Sequence, residues 1–174
     1  MDWYTNSQYS EYKDQEDNMQ GTTRVTLLVI LFTASLIGYA ASQEQGAMTY
    51  EKDVKSIISK RCLSCHGSNA PTIDEFKNNE EGFKQKNKGP RMDTYEHLMI
   101  FVNGKDTGAL MRRLDDGKNT KDGKPGNMYK WLGATDDERA KNVEIIRKWI
   151  GGWTLKRSAD ITDTEKKAIK ALEK

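Results

Sequence analysis

Two cysteines and a histidine lie close together in a short segment of this sequence, RCLSCHGSN, residues 61–69. Cys62 and Cys65 are separated by two residues, and His66 follows directly. Three kinds of chemistry use such a pattern: structural zinc binding, thiol–disulfide exchange, and covalent attachment of haem c with the histidine as an iron ligand. The rest of the sequence decides among them.

The first two kinds of chemistry lack what they need elsewhere in the chain. A structural zinc site takes four ligands, commonly in two pairs, but the sequence holds no further cysteine and one further histidine, His97. A thioredoxin-like redox pair requires a βαβ context, and no alternating strand pattern occurs. The segment therefore predicts one covalent haem c, attached by Cys62 and Cys65, with His66 as the proximal iron ligand.

The sixth iron ligand is predicted to be Met128. It lies in the Gly/Pro-rich stretch GKPGNMYKW, where a loop can bring a thioether to the iron, whereas a methionine on a helix more often fills a core. His97, Met92, Met111 and an open coordination position remain alternatives. The predicted metal ligands are thus His66 and Met128.

The elements that must position these residues are helices. Thr49 can cap a helix that runs directly into Cys62. The apolar stripe of this helix consists of Tyr50, Val54, Ile57 and Ile58. Residues 68–89 are polar and without period, which predicts a long loop. Residues 94–102 and 107–114 predict two short helices.

Two capping boxes mark later helices. Thr135 and Glu138 open the best-marked helix of the chain, and Thr162 and Glu165 open another. The latter falls within residues 154–174, which are predicted to form a C-terminal amphipathic helix or tail. The fold class predicted for the soluble part is all-α.

An uncharged apolar run precedes this helical part. Residues 25–42, VTLLVILFTASLIGYAAS, are long enough to cross a hydrocarbon core of about 30 Å and predict a transmembrane anchor or a signal segment. The arm before the run is long and acidic, unlike the short positive start of a signal peptide, which favours an anchor. Residues 1–24 are predicted to be a flexible cytoplasmic arm, and the haem domain to lie in the periplasm, because haem c is attached outside the bacterial cytoplasm.

Four segments carry a resemblance to a known family: CLSCHG, PRMDTYEHLM, GALMRRL and NMYKWLGATDDERAKNVEIIRKWIGGW. Over about residues 50–153 they resemble the mono-haem c-type cytochromes of the planctomycete-type (PSD1-like) family and the wider class I cytochrome c group. The resemblance implies a class I cytochrome c-like domain over residues 48–153, with Met128 at the place of the distal methionine. Tyr129 stands where that family usually has proline.

The predicted function is single-electron transfer without catalysis. A six-coordinate haem leaves no position for a substrate, and methionine ligation raises the reduction potential. We expect a single-pass protein of the bacterial inner membrane. The preferred interpretation is the haem c subunit of a quinol-oxidising respiratory or photosynthetic complex, and a tethered one-electron carrier is the alternative. A small-residue face in the apolar run, Ala34, Gly38 and Ser42, could meet a neighbouring helix.

The partners expected are a b-type cytochrome or other quinol-oxidising subunits in the membrane, and soluble or membrane-bound redox carriers. With a formal net charge of +2, no nucleic-acid partner is expected. The alternative function is a five-coordinate haem c enzyme or gas sensor of peroxidase type, in which Met128 would not bind the iron.

Overall fold

The computed structural model describes residues 46–174, and this part of the chain is built from short helices joined by loops. A π-helical turn, Tyr50–Val54, leads into the first α-helix, and single 3-10 turns lie at Tyr129–Trp131 and Ser158–Asp160. The α-helices are α1 Lys55–Arg61, α2 Leu63–His66, α3 Ile73–Asn78, α4 Glu80–Gln85, α5 Tyr95–Val102, α6 Ala109–Leu114, α7 Asp136–Ile150 and α8 Asp163–Ala168. Within these residues the only strand-like pairing is an isolated antiparallel bridge between Gly151 and Ile169, so the all-α prediction is confirmed for them.

The helix leading to the cysteines forms as predicted. The hydroxyl of Thr49 accepts a hydrogen bond from the N–H of Lys52 at 3.3 Å, and the Asp53 carboxylate accepts one from the Thr49 N–H at 2.8 Å. The four residues of the predicted apolar stripe are all buried. Its first turn is π-helical rather than α-helical, which the apolar spacing does not reveal.

The core lies where this helix meets α5, α6 and α7. Its members come from every one of these elements, since each turns an apolar face inward. Wholly or almost wholly buried side chains there include Val54, Ile58, Leu98, Val102, Met111, Leu114, Ile146 and Trp149. This core supports the chain on both sides of the Cys-Cys-His segment.

The predicted loop over residues 68–89 is wrong, because it contains α3 and α4. Thr72 opens α3 with a full capping box to Glu75, and the rings of Phe76 and Phe83 stack with centroids 6.2 Å apart. Ile73 is the one residue of the two helices that is buried. Because α3 and α4 bury only one side chain, their sequence shows no apolar periodicity. The Thr72–Glu75 capping box was the sequence feature that could have predicted a helix here.

The predicted start of α7 is confirmed in part. The Thr135 hydroxyl accepts from the N–H of Glu138 at 3.2 Å, as an N-cap should. The carboxylate of Glu138, however, accepts from the N–H of Ala134 at 2.8 Å and binds the guanidinium of Arg61. It joins α7 to the residue that precedes Cys62 instead of closing the capping box.

Residues 154–174 are part of the fold rather than an appended tail. The capping box of Thr162 and Glu165 is confirmed, but α8 ends at Ala168, and the chain continues extended with Ile169 and Ala171 buried. Backbone hydrogen bonds tie this end to the first and last helices of the core: Lys170 N to Ile150 O, Ala171 N to Trp149 O, Tyr50 N to Leu172 O and Glu51 N to Glu173 O.

Within residues 46–174, none of the helices combines the length and the apolar character needed to cross a bilayer. The predicted arm, residues 1–24, and the predicted anchor, residues 25–42, lie outside the described part of the chain. Both remain predictions.

Candidate functional site

The junction of α1 and α2 brings the two cysteines and the histidine onto one helical turn. Cys62 ends α1 and donates its N–H to Ile58 O at 2.9 Å. The N–H groups of Cys65 and His66 both point back to the carbonyl of Cys62, at 3.2 and 3.0 Å. Residues three and four apart on a helix share one face, so the predicted cofactor-binding residues Cys62, Cys65 and His66 lie together.

Both thiols are free and partly buried. Burial raises the pKa of the Cys62 thiol to about 11, and the neighbouring Cys65 adds to this. Burial therefore disfavours the thiolate form of Cys62. Among residues 46–174, moreover, no group of three or more His, Cys, Asp or Glu side chains could hold a metal ion by itself.

The imidazole of His66 is held by the chain that follows α4. Its Nδ1 lies 2.7 Å from the carbonyl oxygen of Pro90, and because a carbonyl can only accept, Nδ1 carries the proton. Nε2 is then the nitrogen with a free lone pair, the arrangement that a metal-binding histidine requires. Burial lowers the pKa of His66, with the Pro90 hydrogen bond acting in the opposite direction, and this favours the neutral ring.

Gly89 lies directly against the same ring. A Cβ at this position would be 2.6 Å from Nδ1 and 2.8 Å from Nε2 of His66, closer than real Cβ contacts. The N–H of Gly89 donates to Cys65 O at 3.0 Å, and the N–H of Met92 donates to His66 O at 2.8 Å. Residues 89–92 therefore run alongside α2 and fix both the position and the tautomer of the imidazole.

Sequence reasoning missed Gly89 and Pro90. The Gly-Pro dipeptide signals a turn, but nothing in its local sequence indicates that this turn contacts a histidine 24 residues earlier. The contact arises from the tertiary fold.

Met128 lies on a separate loop, after α6 and immediately before the 3-10 turn Tyr129–Trp131. Its side chain is half-buried and packs against the core, and its N–H donates to Arg113 O at 2.9 Å. Its thioether accepts no hydrogen bond from residues 46–174, so its sulfur lone pairs are unused there.

The alternative ligands are engaged in other contacts. The sulfur of Met111 lies 3.1 Å from the N–H of Thr154, and this side chain is wholly buried in the core. Met92 belongs to the same core. Nδ1 of His97 lies 2.9 Å from a carboxylate oxygen of Asp93, a contact that leaves its Nε2 free as in His66. The contacts of the methionines favour Met128 over Met92 and Met111.

The residues present fit a covalently attached haem. Two unpaired thiols lie on the same turn as a neutral imidazole with one free nitrogen, and a glycine leaves room beside that imidazole. A tetrahedral zinc site would need further ligands of a kind that the described residues do not bring together.

Comparison with known proteins agrees with this fit. Residues 49–174 match the family model described as PccH cytochrome c. The solved structure of monoheme cytochrome PccH from Geobacter sulfurreducens is similar at 50% sequence identity and a TM-score of 0.69, over 73% of this chain and 99% of that chain. No curated protein sequence gives a significant match.

These findings confirm a mono-haem cytochrome c and extend the matched domain to the end of the chain, past the predicted boundary at residue 153. They do not support the narrower planctomycete-type class. One haem c is covalently bound, the domain is extracytoplasmic, as a c-type cytochrome is, and its activity is electron transfer. This chain belongs to the PccH cytochrome c family.

Proposed function

We propose that this protein carries single electrons through one haem c that Cys62 and Cys65 attach, with His66 and Met128 as the two axial iron ligands. The observation that carries the proposal is the 2.7 Å contact between Nδ1 of His66 and the Pro90 carbonyl. It leaves Nε2 for the iron, on a residue that shares one helical turn with the two cysteines. The haem iron supplies the chemistry, a change between ferric and ferrous states.

The protein residues hold and shield this group. The thiols of Cys62 and Cys65 would hold the porphyrin covalently, each through one thioether bond. Gly89 and Pro90 keep the imidazole in one orientation. A ligand fixed in this way changes little between oxidation states, which suits rapid electron transfer.

The membrane location is the second part of the proposal. The uncharged residues 25–42 would anchor the chain, with residues 1–24 inside and the haem domain in the periplasm. We propose that the anchored domain is the haem c subunit of a quinol-oxidising complex. The small-residue face of the apolar run supports this role. Residues 154–174 add no such support, because they are used within the fold.

Electrostatic steering of an acidic partner receives little support from the lysines near Met128. Lys118 pairs with Asp116 at 3.1 Å, and Lys124 lies 3.7 Å from Asp122. The loop therefore presents compensated charges rather than a basic patch. The exposed aromatic residue beside Met128 is Trp131, with 61% of its surface accessible, and it is a better candidate for contact with a carrier.

The axial ligand is tested with Met128→Ala in the haem-loaded protein, with Met111→Leu as the matched control. The ferric wild-type protein should show the near-infrared absorption of thioether ligation. Met128→Ala should lose this absorption and bind added imidazole, while Met111→Leu should keep it. Wild-type protein that lacks the absorption would instead favour the five-coordinate enzyme or gas sensor.

The membrane role is tested by purification from native membranes under mild detergent. We expect the haem-stained band to remain in the membrane fraction after an alkaline wash and to copurify with a b-type cytochrome. A haem band released by the wash would contradict the anchor. An anchored band that purifies alone would contradict the subunit role and favour a tethered carrier.

A further inference from the structure

Asp115 is the one charged residue within residues 46–174 whose side chain is wholly buried. A buried carboxylate is costly unless its oxygens are satisfied. Oδ1 accepts from the N–H of Gly117 at 2.9 Å, and Oδ2 accepts from Nδ2 of Asn119 at 2.9 Å and from the indole N–H of Trp153 at 2.8 Å. Burial raises its pKa, but these hydrogen bonds outweigh burial and hold the pKa below its usual value.

The position of Asp115 in the chain is significant, because it begins the long loop that leads from α6 to Met128. Its carboxylate holds the first turn of this loop. Its carbonyl oxygen accepts from the N–H of Gly126 at 2.8 Å, and the next pairing joins the N–H of Met128 to Arg113 O at 2.9 Å. The carboxylate of Asp115 therefore fastens the beginning of the loop, and backbone hydrogen bonds of Asp115 and Arg113 fasten its end.

The returning segment lies directly on the end of α6. A Cβ at Gly126 would be 2.5 Å from the carbonyl carbon of Arg113, so the two backbones are in close contact. Gly117 has a φ of +92°, and a Cβ there would be 2.5 Å from Gly123 O. Because both turns are this tight, a shift of Asp115 is transmitted to the backbone of Met128.

The loop is also fixed to the far side of the domain. Trp153, which binds the Asp115 carboxylate, follows α7, and the guanidinium of Arg147 lies 4.8 Å from the centre of its ring. Arg147 itself lies 3.5 Å from Asp115 and 3.2 Å from Asp116. The carboxylate thus joins the Met128 loop to α7 at a site that water does not reach.

We infer that Asp115 is a positioning residue for the axial ligand: it fixes the loop that holds the Met128 thioether on the haem iron. The inference rests on the proposed function, since it requires Met128 to bind the iron. Without the carboxylate, the loop opens more often, and the thioether is away from the iron for a larger fraction of the time. An external ligand then competes more effectively.

The test uses haem-loaded Asp115→Asn and Asn119→Ala, with Asp116→Asn as the matched control. Asp116 shares Arg147 with Asp115 and binds the N–H of Lys118, but the carboxylate contacts to Gly117, Asn119 and Trp153 are those of Asp115. The readouts are the thioether absorption and the affinity of the ferric protein for imidazole, both measured far below the unfolding transition. A purely structural role would leave both unchanged under those conditions.

We expect Asp115→Asn to bind imidazole about tenfold more tightly than wild type and to weaken the thioether absorption. Asn119→Ala should give roughly a threefold effect, because it removes one hydrogen bond to the carboxylate. Asp116→Asn should resemble wild type. Asn119 is exposed, so its variant decides the question if Asp115→Asn yields no folded haem protein.

Met128→Ala provides the reference that separates the two proposals. If it gains imidazole affinity while Asp115→Asn and Asn119→Ala match wild type, the positioning role is overturned and the ligand assignment stands. An equal effect of Asp116→Asn also overturns it, because loss of any nearby charge would then suffice. If Met128→Ala leaves the wild-type spectrum unchanged, the ligand assignment fails and the positioning role fails with it.

Discussion

The imidazole of His66 donates a hydrogen bond from Nδ1 to the carbonyl oxygen of Pro90, over 2.7 Å. This contact joins the haem-binding segment to a turn 24 residues further along the chain. It leaves Nε2 as the ring nitrogen that could bind iron, because a ring nitrogen that carries a proton cannot. A hydrogen bond of this kind raises the basicity of a histidine ligand.

Gly89→Ala should disturb this arrangement. The added Cβ would lie 2.6 Å from Nδ1 of His66, so the ring must turn away and the hydrogen bond to Pro90 must lengthen. We expect a loss of about 1–3 kcal/mol in the free energy of unfolding. Denaturant unfolding of the haem-loaded protein measures it, and the Soret absorption should shift with the ring.

Gly46→Ala is the control for this variant, because a Cβ at Gly46 would meet nothing within 4 Å. Its unfolding free energy and spectrum should match those of wild type. A Gly89→Ala protein as stable as Gly46→Ala, with an unchanged spectrum, would show that the ring and the turn can move apart freely.

The hydrogen bonds of Asp93 should make the stability of the fold depend on pH in the acid range. Its carboxylate accepts from Arg91 at 2.6 and 2.9 Å and contacts His97 at 2.9 Å. The hydrogen bonds from Arg91 are the main cause that lowers the pKa of Asp93, to about 2. Because the folded pKa lies below the unfolded value of about 3.9, this stabilisation is complete above about pH 4 and is lost as the pH falls toward about 2.

The measurement is the melting temperature of wild type and of Asp93→Asn between pH 2 and pH 7. The two curves should be separated at neutral pH and should converge below about pH 4. Asp122→Asn, a change at an exposed loop position, should follow the wild-type curve throughout. A separation that stays constant down to pH 2 would mean that the charge of Asp93 is not what stabilises the fold.

The fold was predictable from the sequence where a helix is capped and buries one face. The helix before Cys62 and the helix after Thr135 satisfy both conditions, and both were predicted. The Cys-Cys-His spacing was enough to predict the haem, because the residues that attach it lie within one short segment of the sequence. The parts that depend on long-range contacts were not predictable: the Pro90 contact, and the non-helical end of the chain, where Ala171 adopts a left-handed φ of +43°.

The ion pair of Arg61 and Glu138 joins the residue before Cys62 to α7, yet it should contribute little. The side chains are 32% and 35% exposed, so water screens the pair. A double-mutant cycle with Arg61→Ala and Glu138→Gln should give a coupling energy of roughly 0.2–1 kcal/mol. Haem content should be unchanged in each variant, and a coupling well above that range would show that this bridge holds the haem segment in place.

The end of the chain should stabilise the core through its backbone. The hydroxyl of Tyr95 donates to Ala171 O at 2.8 Å, and the indole N–H of Trp149 donates to Leu172 O at 2.8 Å. Tyr95→Phe leaves the Ala171 carbonyl without this donor and should lower the free energy of unfolding by about 1 kcal/mol. Truncation after Ala168 removes both hydrogen bonds and uncovers aromatic side chains of the core. It should therefore lower the free energy of unfolding considerably more than Tyr95→Phe does.

Leu172→Ala separates this role of the backbone from any contribution of the exposed Leu172 side chain. The Leu172 side chain is 44% exposed, and the variant keeps the carbonyl that Trp149 binds, so its stability should lie within about 0.5 kcal/mol of wild type. Denaturant unfolding of the three haem-loaded variants measures the loss in the free energy of unfolding. This loss should be smallest for Leu172→Ala, larger for Tyr95→Phe and largest for the truncation. A truncated protein as stable as wild type would contradict a stabilising role of residues 169–174.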